Sequence, residues 1–144
     1  MAGETPEGSA KILVVDDQPF FIAMIRNILQ SKSYTVLSAE SAEEGIREAR
    51  ASRPDLIILD VEMPDLDGIA ACARIKKHPD LKDIPVVILT ATVDPKLNQR
   101  AFQAGAEATV LKASSADRIL NLVKAVLTTD RTPEAKGEPP PPVR

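Results

Sequence analysis

Short β-branched apolar runs recur through the middle of this chain, and each is followed by a stretch whose apolar residues repeat at helical spacing. The runs are KILVVD at Lys11–Asp16, Tyr34–Ser38, DLIILD at Asp55–Asp60, PVVILT at Pro85–Thr90 and Glu107–Leu111. From Phe21 the residues Met24, Ile25, Ile28 and Leu29 share one helical face. Ser41 and Glu44 form a capping-box pattern that opens a second helix, with Ile46 and Ala49 inward. Asp67–Gly68 precede a third helix, with Ile69, Cys72 and Ala73 on its apolar side. Asp94 followed by Pro95 supplies an N-cap and a proline at the first helical position of a fourth. Ile119, Leu122, Val123, Val126 and Leu127 mark the fifth. DLIILD is apolar on both faces, which requires burial on both. Strands alternating with helices in this way predict an α/β domain with a parallel sheet and right-handed crossovers.

Composition narrows the function. The chain has 144 residues, 44% of them hydrophobic, enough for one ordinary core. Its 18 basic and 21 acidic residues are well mixed, and only 3% of residues are aromatic. Neither a basic patch nor a stacking platform for nucleic acid stands out. One cysteine, Cys72, excludes a disulfide framework and a cysteine-based zinc site, and one histidine, His78, leaves no imidazole cluster and no triad. Apolar runs such as Ile84–Leu89 are far short of the roughly 20 residues of a membrane helix, and no signal peptide pattern opens the chain. The expectation is a soluble cytoplasmic domain over residues 11–127. Residues 1–10 read as a flexible N-terminus, and residues 128–144, with the run PPPP, as a disordered tail or linker. A polyproline ligand for a partner is the less economical reading of that tail.

In a parallel α/β sheet the ligand sits beyond the carboxyl ends of the strands. Here those ends carry Asp16 and Asp17, then Asp60, Thr90 and Lys112. Each has a bland explanation alone: an N-cap, a strand threonine, a solvated lysine. Together they bring three carboxylates to one edge, where they repel one another unless a cation intervenes. An oxygen-only donor set suits Mg²⁺, and a carboxylate beside Mg²⁺ can attack phosphorus to form an aspartyl-phosphate. The charges balance, with three carboxylates against a divalent ion and one ammonium.

These stretches, ILVVDDQ, DLIILDVEMPDLDG, PVVILTA and GAEATVLK, resemble the receiver domain of two-component response regulators, the family of the chemotaxis protein CheY. The resemblance spans residues 11–127. It implies a doubly wound (βα)5, flavodoxin-like fold with a five-stranded parallel sheet of order 2-1-3-4-5. It implies that Asp60 accepts a phosphoryl group from a sensor histidine kinase or phosphotransfer protein. Asp17 and Asp60 would ligate Mg²⁺ with the backbone carbonyl of Glu62, and Asp16 would act mainly through a metal-bound water. Thr90 would hydrogen-bond the phosphoryl group and Lys112 would pair with it. Met63–Pro64 and Asp67–Gly68 would shape the loop, while Glu62 and Thr92 would tune the phosphoryl lifetime. The downstream protein target is unnamed, and the expected state is a monomer or weak dimer without nucleic acid or membrane.

Two residues depart from the family pattern. Thr109 stands where an aromatic ring usually rotates with the threonine, so the signal is expected around Ala91–Leu97 rather than in the fifth strand. Ala113 stands where proline usually follows the lysine across a cis bond; before a non-proline residue that bond costs roughly 2.5–4 kcal/mol. Lys112–Ala113 is therefore either trans with a rearranged loop or cis and strained. Two other readings are a phosphorylation-independent interaction module of the same fold and an Mg²⁺-dependent phosphohydrolase. Glu62 is the nearest general acid for the latter, and no substrate cap is visible.

Overall fold

The computed structural model describes residues 10–128. The expected flexible N-terminus and proline-rich tail lie, apart from Ala10 and Thr128, outside the described residues. The strands are β1 (Lys11–Val15), β2 (Thr35–Ala39), β3 (Leu56–Asp60), β4 (Val86–Thr90) and β5 (Ala108–Leu111). They alternate with α1 (Pro19–Gln30), α2 (Ala42–Ser52), α3 (Gly68–Lys77), α4 (Pro95–Gln103) and α5 (Ala116–Thr128). All pairings are parallel, and the sheet order is β2-β1-β3-β4-β5, as expected.

Side-chain alternation divides the core into two layers. Ile12, Val14, Leu56, Ile58, Val87, Leu89 and Val110 pack with α1 and α5. Leu13, Val15, Ile57, Leu59, Val86 and Ile88 face the opposite layer, with α2, α3 and Ala101 of α4. Every residue of β3 and β4 is buried, which is why their sequences run apolar without interruption. The chain steps one way from β1 to β2 and the other way from β1 to β3. The switch point of the sheet therefore lies between β1 and β3.

Some boundaries and faces differ from expectation. α1 starts at Pro19, two residues before Phe21, because proline suits the first helical turn. Its buried face is Phe21, Ile22, Ile25 and Leu29, with Met24 and Ile28 only packed against it. Tyr34 is buried but precedes β2, since its N–H donates to the Leu29 carbonyl at the end of α1 instead of to the sheet. On α3, Ala71 and Ile75 join Ile69 and Cys72 in the core, while Ala73 is half-buried. The described residues contain no cis peptide, so Lys112–Ala113 is trans.

Candidate functional site at the carboxyl ends of the strands

Parallel strands put all their carboxyl ends on one edge. One carboxylate oxygen from each of Asp16, Asp17 and Asp60 lies within 4.8 Å of the others, across the switch point. Asp16 and Asp60 are buried and Asp17 is exposed. Lys112, just past β5, reaches across the edge: its Nζ lies 3.1 Å from Asp16 Oδ2 and 3.2 Å from Asp60 Oδ2. The ammonium also donates to Gln18 Oε1 at 3.3 Å and stands 4.7 Å from the centre of the Phe21 ring. The backbone holds this arrangement in place. Lys112 N–H donates to the Thr90 carbonyl at 2.8 Å, and Gln18 N–H donates to Asp16 Oδ1 at 2.9 Å.

Burial, then the neighbouring Asp16 charge, raises the pKa of Asp60, and Lys112 offsets only part of that rise. For Lys112, partial burial works against the charged form, but Asp16 and Asp60 outweigh it and its pKa is raised. Burial and Asp16 thus disfavour the charged form of Asp60, while Lys112 favours it. Such a group gains when more positive charge arrives.

Thr90 ends β4 and is buried. Its hydroxyl donates to the Thr92 carbonyl at 3.2 Å and accepts from the Thr92 N–H at 3.3 Å, so it is closed on its own loop. The side chains of Thr92 and Glu62 belong to exposed residues, and the Glu62 N–H donates to Asp60 Oδ1 at 3.3 Å. Gly68 shows how tightly the loop after β3 returns. Its N–H donates to the Val61 carbonyl at 2.8 Å, and a Cβ there would lie 2.1 Å from the Asp60 carbonyl oxygen. Asp67 caps α3 by accepting from Ile69 and Ala70 N–H, and Met63 packs against the α2–α3 layer.

The sequence reading missed three contributors. Gln18 directly follows the aspartate pair and Phe21 lies three residues further on, but only topology brings Lys112 to them. Asp65 accepts from the N–H groups of Ala42 and Glu43 at 3.0 Å each, tying the loop after β3 to the start of α2. Those hydrogen bonds, the one from Glu43 foremost, lower its pKa. The predicted capping box is real at Ser41, whose Oγ accepts from Glu44 N–H, but Glu44 reaches back to the N–H of Glu40. His78 has a local partner: its Nδ1 accepts from the Asp80 N–H at 3.0 Å. Cys72 is buried core, as expected.

The donor set fits a hard divalent cation. It consists only of carboxylate oxygens, and Asp16 Oδ2 is buried without a hydrogen-bond donor, facing Lys112 in an ion pair outside hydrogen-bond angles.

Residues 12–124 match the family described as "Response regulator receiver domain". The chain belongs to the response regulator receiver family. It is 33% identical over 117 residues to the alkaline phosphatase synthesis transcriptional regulatory protein PhoP of Bacillus subtilis, covering 81% of this chain and 48% of that protein. It is 28% identical to the polar-differentiation response regulator DivK of Brucella anthropi, over 81% of this chain and 94% of that one. Among solved structures, chemotaxis protein CheY4 of Vibrio cholerae superposes with a TM-score of 0.78 at 29% identity, over 81% of this chain and 98% of that one. The receiver spans about half the length of the first curated relatives it matches. Receivers are phosphorylation-dependent signalling switches rather than classical enzymes, and in general use Mg²⁺. No helix among the described residues is long and apolar enough to cross a membrane.

Proposed function

We propose that Asp60 of this receiver accepts a phosphoryl group from a sensor histidine kinase or phosphotransfer protein, and that the phosphorylated form binds a downstream protein differently. The observation that carries this reading is the Lys112 ammonium set between two buried carboxylates, Asp16 and Asp60, at the switch point. An Asp60 oxygen attacks phosphorus, the P–N bond of a phosphohistidine breaks, and its electron pair returns to the imidazole. Asp17 and Asp60, with the Glu62 carbonyl, would hold Mg²⁺ directly, and Asp16 would act through a metal-bound water. When bound, the ion neutralises equatorial phosphoryl oxygens. Lys112 then pairs with a phosphoryl oxygen, and the Thr90 hydroxyl turns from Thr92 to donate to another. Glu62 and Thr92, exposed two residues after Asp60 and Thr90, would tune access of water and hence lifetime.

Incubating the chain with an acyl phosphate and Mg²⁺, followed by intact mass, tests the reading. A lasting phosphoryl adduct is expected, absent in Asp60→Asn and in Asp17→Ala. No adduct on the wild-type chain would indicate a phosphorylation-independent module, and continuous release of phosphate a hydrolase.

A further inference from the structure

α4 is the most lightly anchored helix among the described residues, with Ala101 as its one buried residue. The loop before it, 91–94, is exposed throughout. A part-buried polar contact crosses to its first turns: the Thr109 hydroxyl of β5 donates to Asn98 Oδ1 at 2.8 Å, and Thr109 is only 5% exposed. Thr109 pairs in register with Ile88, and Thr90 lies two residues further along β4 on that same face. The Thr90 hydroxyl is closed on Thr92, and the loop continues into the Asp94 cap and the turn bearing Asn98.

We propose that the Thr109–Asn98 hydrogen bond is a pin that holds α4 in its unphosphorylated position and sets how readily Asp60 is switched. This rests on the receiver reading. For Thr90 to reach a phosphoryl oxygen it must leave the Thr92 carbonyl, and the loop leading into α4 loses its tie. If the first turns of α4 shift with it, the Thr109 hydroxyl becomes a buried donor without its acceptor, which opposes the shift. Thr109 thereby takes part in the coupling without a ring, and the fifth strand is connected to the fourth helix. Both residues are positioning residues, since neither touches a reacting atom.

The test uses Thr109→Val, Thr109→Ser, Asn98→Ala and the Thr109→Val/Asn98→Ala double variant of the whole chain. Two readouts apply: hydrogen exchange at 95–100 without phosphodonor, and the ratio of phosphorylated to unphosphorylated chain at limiting acyl phosphate with Mg²⁺. Thr109→Val and Asn98→Ala should each raise both by roughly 2–10-fold, the range one net hydrogen bond gives. Thr109→Ser, which keeps the hydroxyl, should stay near wild type, and the double variant should not exceed the larger single effect. Wild-type uptake combined with unchanged ratios in Thr109→Val, equal behaviour of the valine and serine variants, or fully additive effects would each overturn the pin alone. Absence of uptake by the wild-type chain would instead overturn the receiver reading beneath it.

Discussion

The two sides of the strand edge are built differently. On the β1–β3 side, Asp16 directly follows β1 and Asp60 ends the buried β3, and both are fixed by backbone: Gln18 N–H on Asp16, Glu62 N–H on Asp60, and Gly68 closed against the Asp60 carbonyl. On the β4–β5 side, the Thr90 hydroxyl is held by Thr92 of its own exposed loop, and α4 beyond it buries a single residue. Charges that must act on a phosphoryl group without reorganising belong on rigid backbone. A segment that must report the event belongs where local opening is cheap. On the receiver reading proposed above, the chemistry would fall on the backbone-fixed side of the edge and the readout beside the lightly anchored α4.

The sharpest way to break that contrast is to remove the cation that reaches from the end of β5 to the rigid side. Lys112→Met leaves Asp16 and Asp60 facing each other in a buried place. Breaking a buried pair from one side costs about 3–5 kcal/mol, and the partial exposure of Lys112 puts the expected loss at the low end, about 3 kcal/mol. Denaturant unfolding near pH 7 without divalent ions measures it, and added Mg²⁺ should restore part of the loss. In the wild-type chain the raised Lys112 pKa gives stability that is complete below its unfolded value of about 10.4 and disappears as pH rises through the folded value.

Next in size is Gly68→Ala. Its Cβ would meet the Asp60 carbonyl, and no rotamer change relieves a clash with backbone. A loss of about 1–3 kcal/mol is expected, together with slower phosphoryl uptake as the loop and Asp60 move apart. An alanine variant with wild-type stability and uptake would show that the loop is not closed against β3.

Much of the rigid side was legible in the sequence, because its signals are local. DLIILD states its own burial, and aspartates directly after strands state their position once the parallel sheet is inferred. Asp67 and Asp94 announce their caps in the same way. The residues that were not legible act over distance. Asp65 caps a helix whose start lies more than twenty residues earlier, Gln18 and Phe21 meet a lysine from the far end of the domain, and Asn98 meets Thr109 across two elements. No period or motif encodes such partners. The inward residues of α1 and α3 shifted for a related reason: helical spacing defines a stripe, and the sheet beneath decides which part of it is covered.

A gain should follow from neutralising the rigid side. Asp60→Asn removes the carboxylate whose pKa burial and Asp16 raise, so the variant should be more stable than wild type at neutral pH in the absence of metal. For a carboxyl whose folded pKa is raised, the native state holds the proton longer. Stability therefore falls as pH rises from the ordinary carboxyl range through the folded value, and the penalty is complete above it. Wild type should show that fall between acidic and neutral pH, and Asp60→Asn should show less of it. Thermal midpoints across that range decide the matter, and a lower midpoint for the asparagine variant at neutral pH would contradict the crowding of charge.

The smallest effect is expected on the yielding side, and it distinguishes backbone from side chain there. Both contacts of the Thr90 hydroxyl go to the main chain of Thr92, to its N–H and its carbonyl, while Thr92 itself is exposed. Thr92→Ala keeps both main-chain groups and removes no buried atom. Its stability should stay within about 0.5 kcal/mol of wild type, as for surface positions in general. What the substitution does change is the shape and polarity beside the phosphoryl site. Its effect should therefore appear in the lifetime of the adduct on Asp60, followed by intact mass after the phosphodonor is removed. A variant with altered lifetime and unaltered unfolding places the role of Thr92 in the phosphorylated state. A marked loss of stability would mean instead that the threonine side chain holds the β4–α4 loop, and that this side of the edge is less free to move than its burial indicates.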